Sequence, residues 1–450
     1  MFFSKFKICR SIICKKDVRH GARRSENLKF RIPFGVCAAL LISVSASAQT
    51  QLDSLIGIAV SNNPEIKMAR YESSAAEARI SPASTLPDPQ LSIMAENVPS
   101  NFTLTSDEMT MFPQVKIMQS FPWFGKLSAA GDVEKYGYEA SSDRLSTVTL
   151  QVVSELKKVY GQIYSTEKSI EYLEYKRQLL QSVVKVAEQL FAVGQVPQQD
   201  VFRATAELTM VQSDLITTHG MLSDLDAKLG ALLGQNAPYS IKVDTLALPS
   251  LGSLATLEAE LGDGNPELKQ IRNVELAAKA RTVFAKKDAV PDVNVGFSYG
   301  YRGALMPDGT KALNMMNFEV GLSLPIFFGA RQQKMIDEAD FMQRAAEEQY
   351  GTAELGLYSE LRSTYADAEA QSKLIPLYTK ELIPQYEATY NSSLSSYSVG
   401  KTSFAMLIDN LTTLINTKIE LTKIESAYFS ASAQISKLIG ESSEDYRGVK

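Results

Sequence analysis

Two long stretches of the chain carry apolar residues at helical spacing. Residues 126–192 contain no proline, and their apolar side chains recur at steps of three and four residues or sums of these. This spacing places the apolar side chains on one face of a helix, and 67 residues at about 1.5 Å each extend about 100 Å. A shorter helix is predicted for 198–233. The same order returns later, with a long helix predicted for 330–397 and a shorter one for 403–439.

Alternation of apolar and polar residues predicts a different kind of element between the helices. Residues 90–121 and 292–325 each hold two alternating runs around a polar loop, which predicts two β-hairpins. Strands of about ten residues are long enough to cross a bilayer. Because strands span lipid only as a closed barrel, and four strands cannot enclose a pore, we expect copies of the chain to combine. The alternative is a soluble sandwich with aromatic corners, which would need a second sheet.

The hairpins and helices belong to an internal two-fold repeat. Gly194 and Gly400 end the two long helices, lie 206 residues apart, and are each followed 40 residues later by another glycine. Asn63 and Asn265 lie 202 residues apart, and each precedes a Pro-Glu pair. An asparagine cap, a first-turn proline and an early acidic residue together favour the start of a helix. This matching indicates that one structural unit occurs twice.

The repeat sets the expected boundaries of the chain. Prolines interrupt helices, so the helix after Asn63 is expected to end near Ile80, before Pro82. For the same reason, Pro376 and Pro384 are expected to kink or interrupt the second long helix. The predicted segments are a first repeat at 49–235, a linker or equatorial segment at 236–263 with one possible strand and a short helix, a second repeat at 264–440 and a polar tail at 441–450.

The first 48 residues differ from the rest. Ten Lys or Arg occur within 1–31, an apolar run covers 34–44, and Ala46-Ser47-Ala48 follows. This order predicts a secretory signal peptide at 1–48, cleaved before Gln49; the alternative is a basic tail with a short buried helix. Cleavage removes ten basic and two acidic residues from totals of 46 and 51, which leaves a net charge of −13. An exported acidic chain is not expected to bind nucleic acid.

Candidate chemistry is sparse in the predicted mature chain. Cys9, Cys14 and Cys37 lie in the predicted signal peptide, so no disulfide framework is expected, and His219 is the only remaining histidine. We recognise no catalytic grouping, phosphate loop or metal-ligand cluster, and we expect neither an enzyme nor a cofactor. Seven methionines in the strand and loop segments are interpreted as packing and lipid-facing residues rather than a soft-metal relay. They are Met94, Met109, Met111, Met118, Met306, Met315 and Met316.

The order of motifs along the chain resembles the TolC family of outer-membrane efflux channels. The motifs are the Asn-Pro-Glu helix starts, Phe121-Pro122-Trp123-Phe124-Gly125-Lys126, Val193-Gly194-Gln195-Val196-Pro197-Gln198-Gln199-Asp200 and Tyr397-Ser398-Val399-Gly400-Lys401. Within that family, Leu382-Ile383-Pro384-Gln385 and the Gly194–Asp200 turn are most similar to outer-membrane components of heavy-metal exporters of the Cus or Czc type.

The resemblance implies a fold, a location and partners. The implied fold is mainly α with a membrane β-barrel portion. It is a homotrimer whose twelve-stranded barrel, four strands per chain, lies in the outer membrane of a Gram-negative bacterium. A twelve-helix α-barrel continues into the periplasm. The implied partners are outer-membrane lipid, a periplasmic adaptor protein and an inner-membrane pump of the RND, ABC or MFS type. The implied role is the passive exit duct of a tripartite efflux or type I secretion-like system, and the alternative is a periplasmic coiled-coil scaffold without a pore.

The resemblance also implies a periplasmic gate. Asp409, nine residues after Gly400, matches a ring of aspartates that narrows the tunnel entrance, and Tyr397 matches a tyrosine that tethers the closed tip. Met406 stands where a second such aspartate occurs, so the ring is expected to be single. Three like charges brought together favour opening or a bound cation. Without the resemblance, Asp409 is interpreted as a solvated helix residue.

Two further sets of residues are expected to contact the membrane and the adaptor protein. Aromatic side chains at the strand ends are expected at the membrane interface: Trp123, Phe124, Phe327 and Phe328. The helix tips are expected to contact the adaptor. The tip residues are Val193, Gly194, Gln195, Val196, Pro197, Asp200, Val399, Gly400, Lys401, Thr402 and Ser403.

Overall fold

The computed structural model describes residues 51–102, 104 and 109–441. The predicted signal peptide and residues 442–450 of the predicted tail lie outside this part of the chain. The helices are α1 (51–62), α2 (Pro64–Ser84), α3 (Lys126–Ala192), α4 (Gln198–Leu232), α5 (Leu254–Gly264), α6 (Pro266–Asp288), α7 (Gln332–Leu377), a π-helical turn (Tyr378–Leu382), α8 (Ile383–Ser398) and α9 (Phe404–Ile439). The strands are β1 (Gln90–Glu96), β2 (Met111–Phe121), β3 (Val293–Gly300) and β4 (Met315–Leu322).

The four strands form one antiparallel sheet in the order β1-β2-β3-β4. The central β2–β3 pairing joins the hairpins of the two repeats, with Phe121 opposite Val293 and Gln114 opposite Gly300. Strands β1 and β4 are the edges of this sheet, and each has a neighbour on one side only within the described residues. The sheet is therefore open at both edges in a single chain.

One face of the sheet is apolar and exposed. Leu91, Ile117, Phe297 and Phe318 lie in one row across the four strands, and Phe318 exposes 81% of its surface. The neighbouring row, which contains Ile93 on β1, is equally apolar. Contiguous exposed apolar surface of this kind indicates a surface that meets lipid or another protein.

The opposite face of the sheet is polar and internally bonded. The Oγ of Ser298 accepts hydrogen bonds from the side-chain amides of Gln114 and Asn317, both at 3.2 Å. Lys116 on β2 pairs with Glu319 on β4 across the intervening strand. The sheet therefore has one polar and one apolar face, as the period-two pattern predicts.

In each repeat, one asparagine side chain forms hydrogen bonds with the ends of two helices. The side-chain oxygen of Asn63 accepts a hydrogen bond from the backbone N–H of Glu65 at 2.8 Å, and its amide donates to the carbonyl of Leu232 at 3.0 Å. Asn63 thus caps the start of α2 and holds the end of α4 at the same time. We call this arrangement the first hub.

The second hub is formed by Asn265. Its side-chain oxygen accepts from the N–H of Leu268 at 2.8 Å, and its amide donates to the carbonyl of Leu438 at 2.6 Å. The two hub glycines, Gly234 and Gly440, follow with φ of +74° and +76°. The predicted two-fold repeat is thereby seen in matching hydrogen bonds.

The apolar stripes of the helices pack into three clusters. The first surrounds α1 and the middle of α3, the second joins the tip halves of α3, α4, α8 and α9, and the third joins α5, α7 and the end of α9. The long helix α3 packs against α2, α4, α6 and α9 and so takes part in both repeats. No helix within the described residues is both long and apolar enough to cross a membrane.

Two helices are affected by prolines, one differently from the sequence prediction and one as predicted. Helix α2 continues through Pro82 to Ser84 instead of ending near Ile80. The second long helix is interrupted as the prolines predict: after Pro376 the chain forms the π turn Tyr378–Leu382, and α8 then starts. A proline lacks the N–H that bonds to the carbonyl four residues earlier, and a wider π turn accommodates the missing bond.

The possible strand predicted in the linker is wrong, since residues 235–253 contain none. The linker binds the helices instead of a sheet. The backbone N–H of Val243 donates to the carboxylate of Glu167 at 2.7 Å, and the hydroxyl of Tyr428 donates to the carbonyl of Pro249 at 2.5 Å. Side chains of α3 and α9 thus satisfy backbone groups that a strand would pair with a neighbour.

Candidate functional site

The α3–α4 turn is one of the two helix tips. The N–H of Gly194 donates to the carbonyl of Phe191 at 2.9 Å, and the N–H of Gln195 donates to the carbonyl of Leu190 at 2.8 Å. These two bonds close the end of α3, and they place Gly194 at φ +74°, which glycine adopts readily. Pro197 then precedes α4 in an extended conformation. The chain reverses direction here within five residues.

The α8–α9 turn has the same backbone bonds. The N–H of Gly400 donates to the carbonyl of Tyr397 at 3.0 Å, and that of Lys401 donates to the carbonyl of Ser396 at 2.8 Å. Gly400 has φ +71°. The second tip then differs, because Ser403 caps α9 by accepting from the N–H of Met406 at 3.4 Å. Gly194 and Gly400 therefore end their helices in the same backbone conformation, although the residues that follow them differ.

The tips expose apolar surface. Val193 and Val399 occupy matching positions and expose 67% and 64% of their surfaces. Of the other predicted tip residues, Gln195, Pro197, Lys401 and Ser403 are exposed, and Val196, Asp200 and Thr402 are half-buried. A paired, exposed valine at the end of each hairpin is a feature suited to contact with another protein.

Tyr397, predicted as a tether, lies in the core between the two hairpins. It is 2% exposed and its ring meets the ring of Phe404 edge-on at 5.8 Å between centroids. Among the described residues its hydroxyl has no hydrogen-bond partner. Burial raises the pKa of Tyr397, and the carboxylate of Asp200 acts in the same direction. Within the described chain, Tyr397 therefore joins the two hairpins by packing, and its role as a tether stays a prediction.

Asp409 lies on an exposed face of α9 and lines a cavity of about 460 Å³. The cavity is bounded by α3, α4 and α9, and Phe404 lines it as well as contacting Tyr397. Phe404 thus contacts the buried Tyr397 and lines the same cavity as the exposed Asp409. The other charged residues of the cavity are Lys176, Arg203, Glu207 and Asp214.

Lys176 is a residue of this site that the sequence interpretation missed. It is 6% exposed, and burial lowers the pKa of its amine while Glu207 and Asp214 raise it. A signal was present in the sequence, because Lys176 stands three residues after Leu173 and four before Leu180. It therefore occupies a position of the apolar stripe of α3. A lysine at such a position places a positive charge inside the cavity that Asp409 lines.

The predicted interface aromatics lie between the sheet and the helices. Phe124 and Phe327 expose 89% and 75% of their surfaces, and Trp123 and Phe328 are also exposed. The rings of Trp123 and Phe124 meet edge-on at 5.9 Å. Large exposed aromatic rings at the end of an exposed apolar sheet are suited to a lipid–water boundary.

The sequence interpretation also missed an ion cluster that lies next to Trp123. The buried amine of Lys126 lies 2.7 Å from a carboxylate oxygen of Asp292 and 3.0 Å from one of Asp288. The same Asp292 oxygen accepts from the N–H of Trp123 at 3.0 Å. The cluster ties the start of α3 in the first repeat to the start of β3 in the second. Its second-repeat counterpart has Ala330 in place of the lysine.

The comparisons with known proteins agree with this arrangement of sheet, helices and tips. The model of the outer membrane efflux protein family matches residues 55–235 and 259–441, one match for each repeat. The chain belongs to the outer membrane efflux protein family. This confirms the resemblance found in the motifs, and the family is one of efflux proteins rather than of enzymes.

Relatives and solved structures extend the likeness over most of the chain. Outer membrane protein TolC of Escherichia coli (strain K12) is 22% identical over 408 residues, which cover 85% of this chain and 80% of TolC. Cation efflux system protein CusC of the same strain is 20% identical over 378 residues, which cover 82% and 81%. The crystal structure of VceC from Vibrio cholerae has a TM-score of 0.74 at 19% identity, covering 87% of this chain and 96% of that one. The predicted fold class is confirmed.

Proposed function

We propose that three copies of this chain form the outer-membrane exit duct of a tripartite efflux system. The observation that carries the proposal is the four-stranded sheet with two open edges and one exposed apolar face. Unpaired strand edges are costly in lipid, and closure removes them. Pairing β4 of one copy with β1 of the next would give twelve strands, with the apolar row of Leu91 and Phe318 toward lipid and the polar row of Ser298 toward the lumen.

The helices would continue this duct through the periplasm. Helix α3 alone extends about 100 Å from the sheet junction to the tip. The exposed Val193 and Val399 at the tips would dock a periplasmic adaptor protein, and an inner-membrane pump of the RND, ABC or MFS type would supply the energy. The duct itself performs no chemistry in this scheme.

Gel mobility and conductance test the assembly. We expect outer-membrane fractions to give a trimer band that boiling converts to monomer, and the purified trimer to conduct ions across a planar bilayer. Finding only monomer would overturn the closed duct. A trimer that never conducts would instead support the periplasmic coiled-coil scaffold.

Asp409 is proposed as the charged constriction at the periplasmic entrance. We expect Asp409→Ala to raise single-channel conductance and to weaken block by multivalent cations by about tenfold, since three carboxylates facing one axis bind such cations together. Bilayer recordings with a trivalent cation would measure both effects.

The matched control is Asp224→Ala, an exposed aspartate on α4 that pairs with Lys228 and lies outside the cavity of Asp409. It should leave conductance and block unchanged. If Asp409→Ala also changed neither quantity, Asp409 would line no constriction.

A heavy-metal exporter of the Cus type is the more specific form of this proposal. The motif resemblance and the likeness to a cation efflux protein support it. The genes next to this one provide the test: a pump and adaptor of the heavy-metal class support a cation cargo, whereas a drug-type pump contradicts it.

A further inference from the structure

A second cavity lies away from the tips, about halfway along α3. It has a volume of about 390 Å³ and is enclosed by α1, α3, the linker residues 245–249 and the end of α9. Its position on α3, near Lys157, is about 55 Å from the tip glycine Gly194. A volume of this size falls in the range of small-molecule pockets. Neither the gate nor the docking tips use this cavity.

Two hydrogen-bond donors of α3 line the cavity, and one of them has no partner among the described residues. Tyr160 is 2% exposed, and its hydroxyl makes no hydrogen bond among the described residues. Lys157, one turn earlier on the same helix face, lines the cavity and is half-buried. Burial lowers the pKa of the Lys157 amine, and Asp53 and Glu441 act in the opposite direction. A buried donor left without a partner is costly, so the Tyr160 hydroxyl points to an absent acceptor, and the nearby Lys157 amine adds a positive charge to the same cavity.

Two carboxylates line other walls of the same cavity. Asp53 comes from α1, and Glu441 follows α9, where the hydroxyl of Ser436 donates to it at 2.7 Å. Both carboxylates raise the pKa of the Lys157 amine, against the effect of its burial. The remaining walls are largely apolar: Leu52, Leu246, Leu248, Phe429 and Ala433.

We propose that this cavity binds a small zwitterion with an apolar body, of the amino-acid or short-peptide class. Its carboxylate accepts from the Tyr160 hydroxyl and the Lys157 amine, and its ammonium group pairs with Asp53 and Glu441. Its apolar side chains pack against the leucines and Phe429. A purely anionic ligand would meet two carboxylates, a purely cationic one would meet the lysine, and an apolar one would leave the buried hydroxyl unpaired.

The dipeptide L-leucyl-L-leucine serves as the probe. The mature full-length protein in lipid nanodiscs would be titrated with it by calorimetry, and we expect saturable binding of one peptide per chain. Tyr160→Phe should weaken binding about tenfold, because a hydrogen bond to a charged group is lost. Lys157→Met should weaken it at least as much.

Stability measurements separate a ligand-binding role from a structural one. Because the Tyr160 hydroxyl has no partner, Tyr160→Phe should melt at or above the temperature of the natural protein when peptide is absent. The matched control is Tyr175→Phe, which removes an exposed hydroxyl from the same helix and should leave binding unchanged. Weaker binding together with a lower melting temperature in Tyr160→Phe would assign the hydroxyl a structural role and overturn the proposal.

Modified peptides test the two charges. N-acetyl-leucyl-leucine and leucyl-leucine amide each lack one charge, and each should bind at least tenfold more weakly than the dipeptide. Equal binding of either one, or no saturable binding at all, would overturn the proposal. None of these results bears on trimer formation or conductance.

Discussion

The two repeats share their helix ends and differ in what lies between them. Both hubs use an asparagine bonded to two helices, and both tips use a glycine closed by the same pair of backbone bonds. Between these points, α3 is continuous over 67 residues, whereas its counterpart is interrupted by the π turn. The residues that the two repeats share therefore set where the helices end, and the repeats differ in the segments between those ends.

The largest expected effect separates the hub glycines from the tip glycines. A Cβ at Gly234 would lie 2.6 Å from the carbonyl oxygen of Asn62, and one at Gly440 would overlap the carbonyl oxygen of Gly264. We expect Gly440→Ala to lower the free energy of unfolding by about 3 kcal/mol, since strain at positive φ adds to the steric overlap. Denaturant unfolding of the isolated protein would measure it.

The tip glycine Gly400 provides the matched control. It has the same positive φ, but nothing lies within 4 Å of the position that an alanine methyl group would take there. Gly400→Ala should therefore cost only about 1 kcal/mol. Equal losses at Gly440 and Gly400 would show that the close approach at the hub contributes nothing.

A smaller effect on stability is expected at the ion cluster of Lys126, which has no counterpart at the matching position of the second repeat. Lys126→Met should destabilise the protein by about 2 kcal/mol, because it leaves the carboxylates of Asp288 and Asp292 without their buried partner. Thermal unfolding followed by circular dichroism would measure the change.

Lys135→Met is the control for that substitution, because Lys135 is an exposed lysine on the same helix. It should change stability by less than about 0.5 kcal/mol. A loss at Lys126 no larger than at Lys135 would contradict a structural role for the ion cluster.

The smallest effect is expected for a change of charge in the cavity that Asp409 lines. Lys176→Met removes a buried positive charge from the cavity that Asp409 lines. We expect the half-blocking concentration of a trivalent cation to fall about threefold, in the direction opposite to Asp409→Ala, because each protomer then presents more net negative charge. Planar-bilayer recordings would measure it. An unchanged concentration would place Lys176 outside the conduction path.

Much of the fold could be predicted because local periodicity reflects which face of an element is buried. The alternation around Phe297 indicated a strand, and the recurrence of Leu156, Ile163 and Leu180 indicated a helix. The hubs were visible as the Asn-Pro-Glu repeat. The interruption of the second long helix followed from Pro376 and Pro384, since a proline in the interior of a helix removes one of its hydrogen bonds.

The remainder depends on contacts between distant residues, which periodicity does not contain. The linker has apolar residues that fit a strand, and the bonds from Val243 to Glu167 and from Tyr428 to Pro249, 76 and 179 residues apart, show that it lies against helices. The partners of Lys126 lie more than 160 residues later in the chain. Of the candidate site, the positions of the tips followed from the glycines, whereas the burial of Tyr397 required its packing against Phe404.

The pairing of β2 with β3 has a consequence for the order of folding. Each hairpin pairs strands that are close in sequence, but the β2–β3 pairing brings Phe121 to Val293 across a span that contains α3, α4, α5 and α6. Closing so long a loop costs more conformational entropy than closing either hairpin, and such contacts form slowly. The β2–β3 pairing is therefore expected to form later than either hairpin. Until then each hairpin exposes an apolar face and free edges, and the newly exported chain needs protection from aggregation during that interval.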